Sequence, residues 1–145
     1  MGKFVFKFDK IYKVKVILEK KIQKEIAELD LMIVSLEEKI SSLREARKSL
    51  AFFDGQFTIS AGYAQYKTRQ EEILDNEIDT VLLEKRKVLE RKEKKILELQ
   101  EKAKERKIFE KLEEQYKSNF EYEQLMVEQK LIDETATAKF IRGNV

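Results

Sequence analysis

Ile22, Leu29, Leu36, Leu43 and Leu50 recur every seven residues, and Ile26, Ile33 and Ile40 fall between them at the same period. The alternation of three and four steps is the a/d seam of a coiled coil, with isoleucine at a and leucine at d. So much apolar side chain on one narrow stripe must be buried. A turn just beyond Leu50 lets the chain bury it against itself. The expected fold is all-α: a long antiparallel two-helix coiled-coil hairpin.

Composition fits this reading. Of the 145 residues, 40% are charged and none is proline, which suits long helices. The apolar residues are periodic and not sparse, which argues against disorder. The 30 basic and 28 acidic residues interleave and leave a net charge of only +2, so the whole chain makes no strong case for nucleic acid or an anionic membrane. Without Cys there are no disulfides, and a reducing compartment fits. The longest apolar run, Leu31-Met32-Ile33-Val34, is far short of the roughly 20 residues that span a bilayer. Met1 to Phe6 lacks the apolar core of a secretory signal, and Phe6 stands where myristoylation wants Ser or Thr. A soluble cytoplasmic protein is expected.

Taken in order, residues 1–145 read as a single coiled-coil domain. Phe4, Phe6 and Phe8 alternate with Val5 and Lys7, an extended pattern that is either frayed or ordered by docking. Asp9 is the expected N-cap of helix one, which runs from about Asp9 to about Phe53. Arg47 interrupts its ladder at an a position, where a polar residue sets register. The turn is placed at 54–62, with Gly55 ending helix one and Ser60 capping helix two. Phe52, Phe53, Phe57, Ile59, Tyr63 and Tyr66 crowd this tip, as a seal or as a contact surface. Helix two, about 63–141, carries Ile78, Leu82, Leu89, Ile96, Leu99 and Ala103 on one stripe, with Lys85 and Lys92 among them. A turn centred near Thr58 brings Lys92 close to Glu25 or Glu28.

The two helices differ in length. Helix one can cover helix two only to about Ile108 or Phe109, leaving an overhanging C-terminal helix. Its stripe continues through Phe109, Leu112, Tyr116, Phe120, Val127 and Leu131. An uncovered stripe is a partner site, an oligomer interface or the mark of a misplaced turn.

No constellation for catalysis is present. With no His, Ser and Thr lack their usual base, and zinc lacks an imidazole ligand. Gly55 and Gly62 are too far apart for a phosphate-cradling loop. Carboxylate pairs such as Glu71 and Asp75 read as a solvated helix face. Arg86 to Lys107 is locally basic, but acids alternate through it and no aromatic residue interleaves to stack bases. An enzyme, a metal, a cofactor and nucleic acid are therefore not expected.

Near the C-terminus, Glu128-Gln129-Lys130-Leu131-Ile132-Asp133-Glu134-Thr135-Ala136, followed by Phe140-Ile141-Arg142, resembles the closing motif of the FliJ family of the flagellar type III export apparatus. The opening Phe4-x-Phe6-x-Phe8-Asp9-Lys10-Ile11-Tyr12-Lys13-Val14-Lys15 is similar to that family's alternating aromatics and basic helix start. Phe109 to Glu114, and Tyr63 with Tyr66, also resemble family segments, in the correct order along the whole chain.

The resemblance implies an antiparallel coiled coil like the central stalk of rotary ATPases. It implies paired termini inserted into the hexameric export ATPase, contact with the cytoplasmic domain of the membrane export gate, and interaction with export chaperones. The resemblance places Lys10, Lys13, Gln129, Lys130, Asp133 and Glu134 at the ring-facing end. The overhang adds Phe109, Leu112, Tyr116, Phe120 and Leu131. Export-gate contact maps to Arg69, Ile73, Asn76 and Thr80; Ile73 keeps an apolar character, whereas Arg69 and Thr80 depart from the aromatic and imidazole side chains of relatives. The expected function is a non-enzymatic stalk-like adaptor or chaperone, monomeric when isolated and peripheral at the export apparatus. The alternatives are a self-associating coiled-coil scaffold and the equivalent stalk of a virulence secretion system.

Overall fold

The computed structural model describes residues 2–53 and 61–143, with the side chains of Phe52 and Phe53 excepted. Two α-helices account for nearly all of them: α1, Asp9–Phe53, and α2, Ala61–Gly143. There are no strands among the described residues. The helices pack against each other, so the protein is the all-α helical hairpin that the heptads imply. Contacts divide it into two compact units. One joins Met1–Glu19 with Glu101–Val145 and is called the terminal unit below; the other is Lys20–Gln100, the central unit.

In the central unit every rung of the ladder from Ile22 to Leu50 turns inward, and Ile22, Ile33 and Ile40 are its deepest α1 residues. Ion pairs fix an antiparallel register: Arg47 meets Asp75 at 3.1 Å, Lys85 meets Glu37 at 3.2 Å and Lys92 meets Asp30 at 2.6 Å. These pairs are symmetric about Ala61, three residues beyond Thr58. That displacement is why Lys92 finds Asp30 instead of Glu25 or Glu28; Glu25 is taken by Lys95 at 2.8 Å. Arg47 also reaches Glu71 at 3.2 Å, so the polar a position and the carboxylate pair form one interhelical clamp.

The α2 seam differs from the expected stripe. Val81 and Val88 are buried, at 3% and 8% exposure, while Leu82 and Leu89 stand 38% and 39% exposed. The seam runs Leu74, Ile78, Val81, Lys85, Val88, Lys92 and Leu99, one step round the helix from the two leucines. Lys85 and Lys92 lay their stems along it and hold their ammonium groups at the edge against α1 carboxylates.

The turn read at 54–62, with its caps at Gly55 and Ser60, lies outside the described residues apart from Ala61 and Gly62, which open α2. The tip cluster is described only at Tyr63, half-buried, and Tyr66, exposed.

Candidate functional site

The terminal unit holds most of the residues expected to meet a partner, and it is built from an extended strap followed by a helix. Residues 2–6 have no helical or strand pairing. Period-two alternation sends Phe4, Phe6 and Phe8 toward α2 and leaves Lys3, Val5 and Lys7 outside. Phe4 packs on Phe120 with ring centroids 5.7 Å apart; Phe6 meets Tyr116 at 6.0 Å; Phe8 meets Phe109 at 6.3 Å and stacks on Tyr116 at 6.2 Å. Phe6 is the most buried of the three, at 6% exposure. Such offset and tilted aromatic contacts add about 0.5–1.5 kcal/mol each beyond area burial. The docked alternative for the N-terminal aromatics is the one adopted.

Helix α1 starts one residue earlier than an Asp9 cap requires. The Tyr12 amide donates to the Phe8 carbonyl at 2.9 Å, so Phe8 occupies the cap and Asp9 lies in the first turn. There its carboxylate favours the positive helix end and pairs with Lys13 at 3.0 Å.

An ionic clasp continues the pairing where the strap ends. Arg106 donates through Nε to Glu19 and through Nη1 to Glu110 at 2.7 Å, and the Tyr12 hydroxyl donates to the same Glu110 carboxylate at 3.0 Å. Lys15 closes on Glu105 at 2.9 Å. Hydrogen bonds from Arg106 and Tyr12 hold the Glu110 carboxyl below the ordinary carboxylate value, and Lys15 does the same for Glu105. Donation to Glu110 pushes the Tyr12 phenol up, and Glu19 foremost raises Arg106 further. From the basic run of α2, Lys92, Lys95 and Arg106 serve α1 acids.

The strap shortens the overhang. Phe109, Leu112 and Phe120 are half-buried and Tyr116 is 40% exposed, so cover extends about eleven residues past the limit set by helix lengths alone. From Glu121 to Gly143 every residue but Gln124 is exposed. Tyr122, Leu125, Met126, Val127, Leu131, Ile132, Phe140 and Ile141 all stand more than half exposed. Of the residues expected at the ring end, Lys10, Lys13, Gln129, Lys130, Leu131, Asp133 and Glu134 are exposed. Gln129 donates to Asp133 at 3.3 Å, one turn away on the same helix.

The other expected contact lies in the central unit. Ile73, Asn76 and Thr80 share one shallow groove with Lys39, Glu77, Val81 and Glu84. Ile73 is 43% exposed, and the Thr80 hydroxyl donates back to the Asn76 carbonyl at 2.9 Å. Arg69 is exposed on the same helix but does not line that groove. Glu77 and Glu84 stand four residues from Ile73 and Thr80 on the same helix, so helical spacing could have found them, whereas only the pairing of α1 with α2 brings in Lys39.

Among the described residues no group of His, Cys, Asp or Glu is arranged to hold a metal ion, and no helix is long and apolar enough to cross a membrane. The sequence model of the family described as Flagellar FliJ protein matches residues 4–144. No curated protein and no solved structure matches the chain.

Proposed function

This chain belongs to the FliJ family, a non-catalytic family with a role in flagellar protein export, and from that premise we propose that it is a stalk-like adaptor for the hexameric export ATPase. The observation that carries the proposal is the bare end of α2. Past Phe120 the helix keeps its apolar residues and has no intramolecular partner among the described residues. Apolar side chains exposed along a single helix are stabilised by a surrounding protein wall. Burying one large side chain contributes roughly 1.5–3 kcal/mol, so two or three anchors outweigh surface ion pairs at about 0–1 kcal/mol each.

In this reading Leu131 is an anchor in the ring, and Lys10, Lys13, Gln129, Lys130, Asp133 and Glu134 surround it. Phe109, Leu112, Tyr116 and Phe120 serve chiefly to bind the strap, which stiffens the base of the bare helix. The groove of Ile73, Asn76 and Thr80, with Arg69 nearby, receives the cytoplasmic domain of the export gate. Export chaperones are further partners. The protein works in the cytoplasm, peripheral to the membrane-associated apparatus, and is monomeric until it meets the ring.

Co-sedimentation with the purified export ATPase, with ATP hydrolysis followed in parallel, tests the proposal. Co-migration with a ring-sized species and faster hydrolysis are expected, and truncation after Phe120 abolishes both. No interaction at micromolar concentration overturns it. A sedimentation mass near twice 17.3 kDa for the isolated chain would instead assign the bare helix to a second copy.

A further inference from the structure

The small net charge of the chain conceals a local imbalance. Residues 3–17 hold five lysines, no arginine and one acid, Asp9; Asp9 is paired with Lys13 and Lys15 is turned onto Glu105, which leaves Lys3, Lys7 and Lys10 as the excess. The strap turns Lys3, Val5 and Lys7 away from α2, and Val5 is 80% exposed. At 100° per residue, Lys10, Lys13, Val14 and Ile17 lie opposite Tyr12 and Glu19, the side chains that reach α2. Val14 is 53% exposed and Ile17 63%. The outer side of this segment is thus a row of aliphatic groups flanked by ammonium groups, and the nearest glutamate, Glu19, is turned inward onto Arg106.

We propose that this outer face of residues 3–17 binds the surface of a bilayer rich in anionic phospholipid. Three features select that occupant. The charge left over is of one sign, as attraction to an anionic leaflet requires, because the one acid, Asp9, is held by Lys13. The aliphatic groups stand beside the charges, so they enter the headgroup boundary while the lysine stems keep the ammonium groups in water. Every cation is lysine, a point charge suited to a diffuse anionic layer, whereas a protein carboxylate site favours the arginine fork. Nucleic acid would leave Val5, Val14 and Ile17 unburied, and the aromatic rings that could stack on bases are turned onto α2. The proposal is independent of the ring contact, although Lys10 and Lys13 belong to both surfaces; the variants below therefore avoid them.

The test is flotation of the full chain with vesicles of phosphatidylcholine, with or without about 30% phosphatidylglycerol, in low and in high salt. The protein floats with the anionic vesicles only and is released by salt. The double variant Lys3→Gln/Lys7→Gln lowers partitioning about 25-fold, from about fivefold per lysine. Ile17→Gln lowers it further in the same direction while helicity is unchanged. The chain has no Trp, so Ile17→Trp gives a clean reporter, and its emission moves to shorter wavelength when anionic vesicles are added. Equal flotation with neutral vesicles, or none with anionic ones, overturns the proposal. So does binding to double-stranded DNA as tight as to anionic vesicles and indifferent to Ile17→Gln, which would assign the face to polyanions.

Discussion

Arg106 and Glu19 meet across the terminal unit with Nε 2.5 Å from Oε2, and Glu19 is only 9% exposed. A carboxylate that enclosed needs a charge partner, and Arg106 supplies one while its other arm holds Glu110. The Tyr12 hydroxyl completes the set. These contacts tie the first turns of α1 to α2 within the terminal unit.

Stability should fall at both pH extremes. Glu25, Glu105 and Glu110 titrate below the ordinary 4.5 in the folded chain, so their contribution is present above that value and is lost as pH falls through their folded values. Tyr12 titrates above 10.0 and Lys95 above 10.5, so theirs is present below those values and is lost as pH rises through the folded ones. Thermal melts should show a plateau between about pH 6 and pH 9 with losses on each side. Arg106→Gln should lower the plateau and return the Glu110 carboxyl toward 4.5. Carbon-13 NMR titration of that carboxyl reads the shift directly.

Val81→Ala should cost about 1–3 kcal/mol, because its side chain is almost fully enclosed. Leu82→Ala removes a larger side chain from a half-open site and should cost less than about 1 kcal/mol. Urea denaturation of the two variants checks the order. The reverse order would restore the leucine stripe as the seam.

Phe6→Ala should detach the strap while both helices stay formed. Its ring is the buried centre of the contacts to Phe8 and Tyr116. Trypsin should then cut after Lys3 and Lys7 faster, by about tenfold or more for a loss of roughly 1.4 kcal/mol in strap docking. Far-ultraviolet circular dichroism should be unchanged.

Leu131→Asp should weaken ATPase binding by about tenfold or more, with helicity and melting unchanged, since the side chain is 58% exposed. Equilibrium sedimentation of the mixture checks it. Unchanged binding would remove the bare helix as the ring contact.

The α1 ladder was legible because its a and d positions are all apolar from Ile22 to Ile40, so period alone names the buried face. The α2 face was less so. Its seam alternates valine with lysine, while leucines at 82 and 89 advertise a neighbouring stripe. Hydrophobicity ranks Leu above Val, but the register set by Arg47 on Asp75, Lys85 on Glu37 and Lys92 on Asp30 decides which of them is covered. The expected ring-end residues could be named from motifs, yet their surroundings could not. The groove around Ile73 and Asn76 needs Lys39 from the other helix.

Sequence by itself determined the two helices, the inward face of α1 and the family, because heptads and ordered motifs are local properties of the chain. Tertiary structure alone decided where cover ends. Helix length places that limit near Phe109, but Phe4, Phe6 and Phe8 continue the pairing as an extended strap up to Phe120. An extended residue advances about 3.3 Å against 1.5 Å in a helix, so a few strap residues cover twice as many helical ones. A period-two pattern identifies such a strap, and only its docking says what it hides.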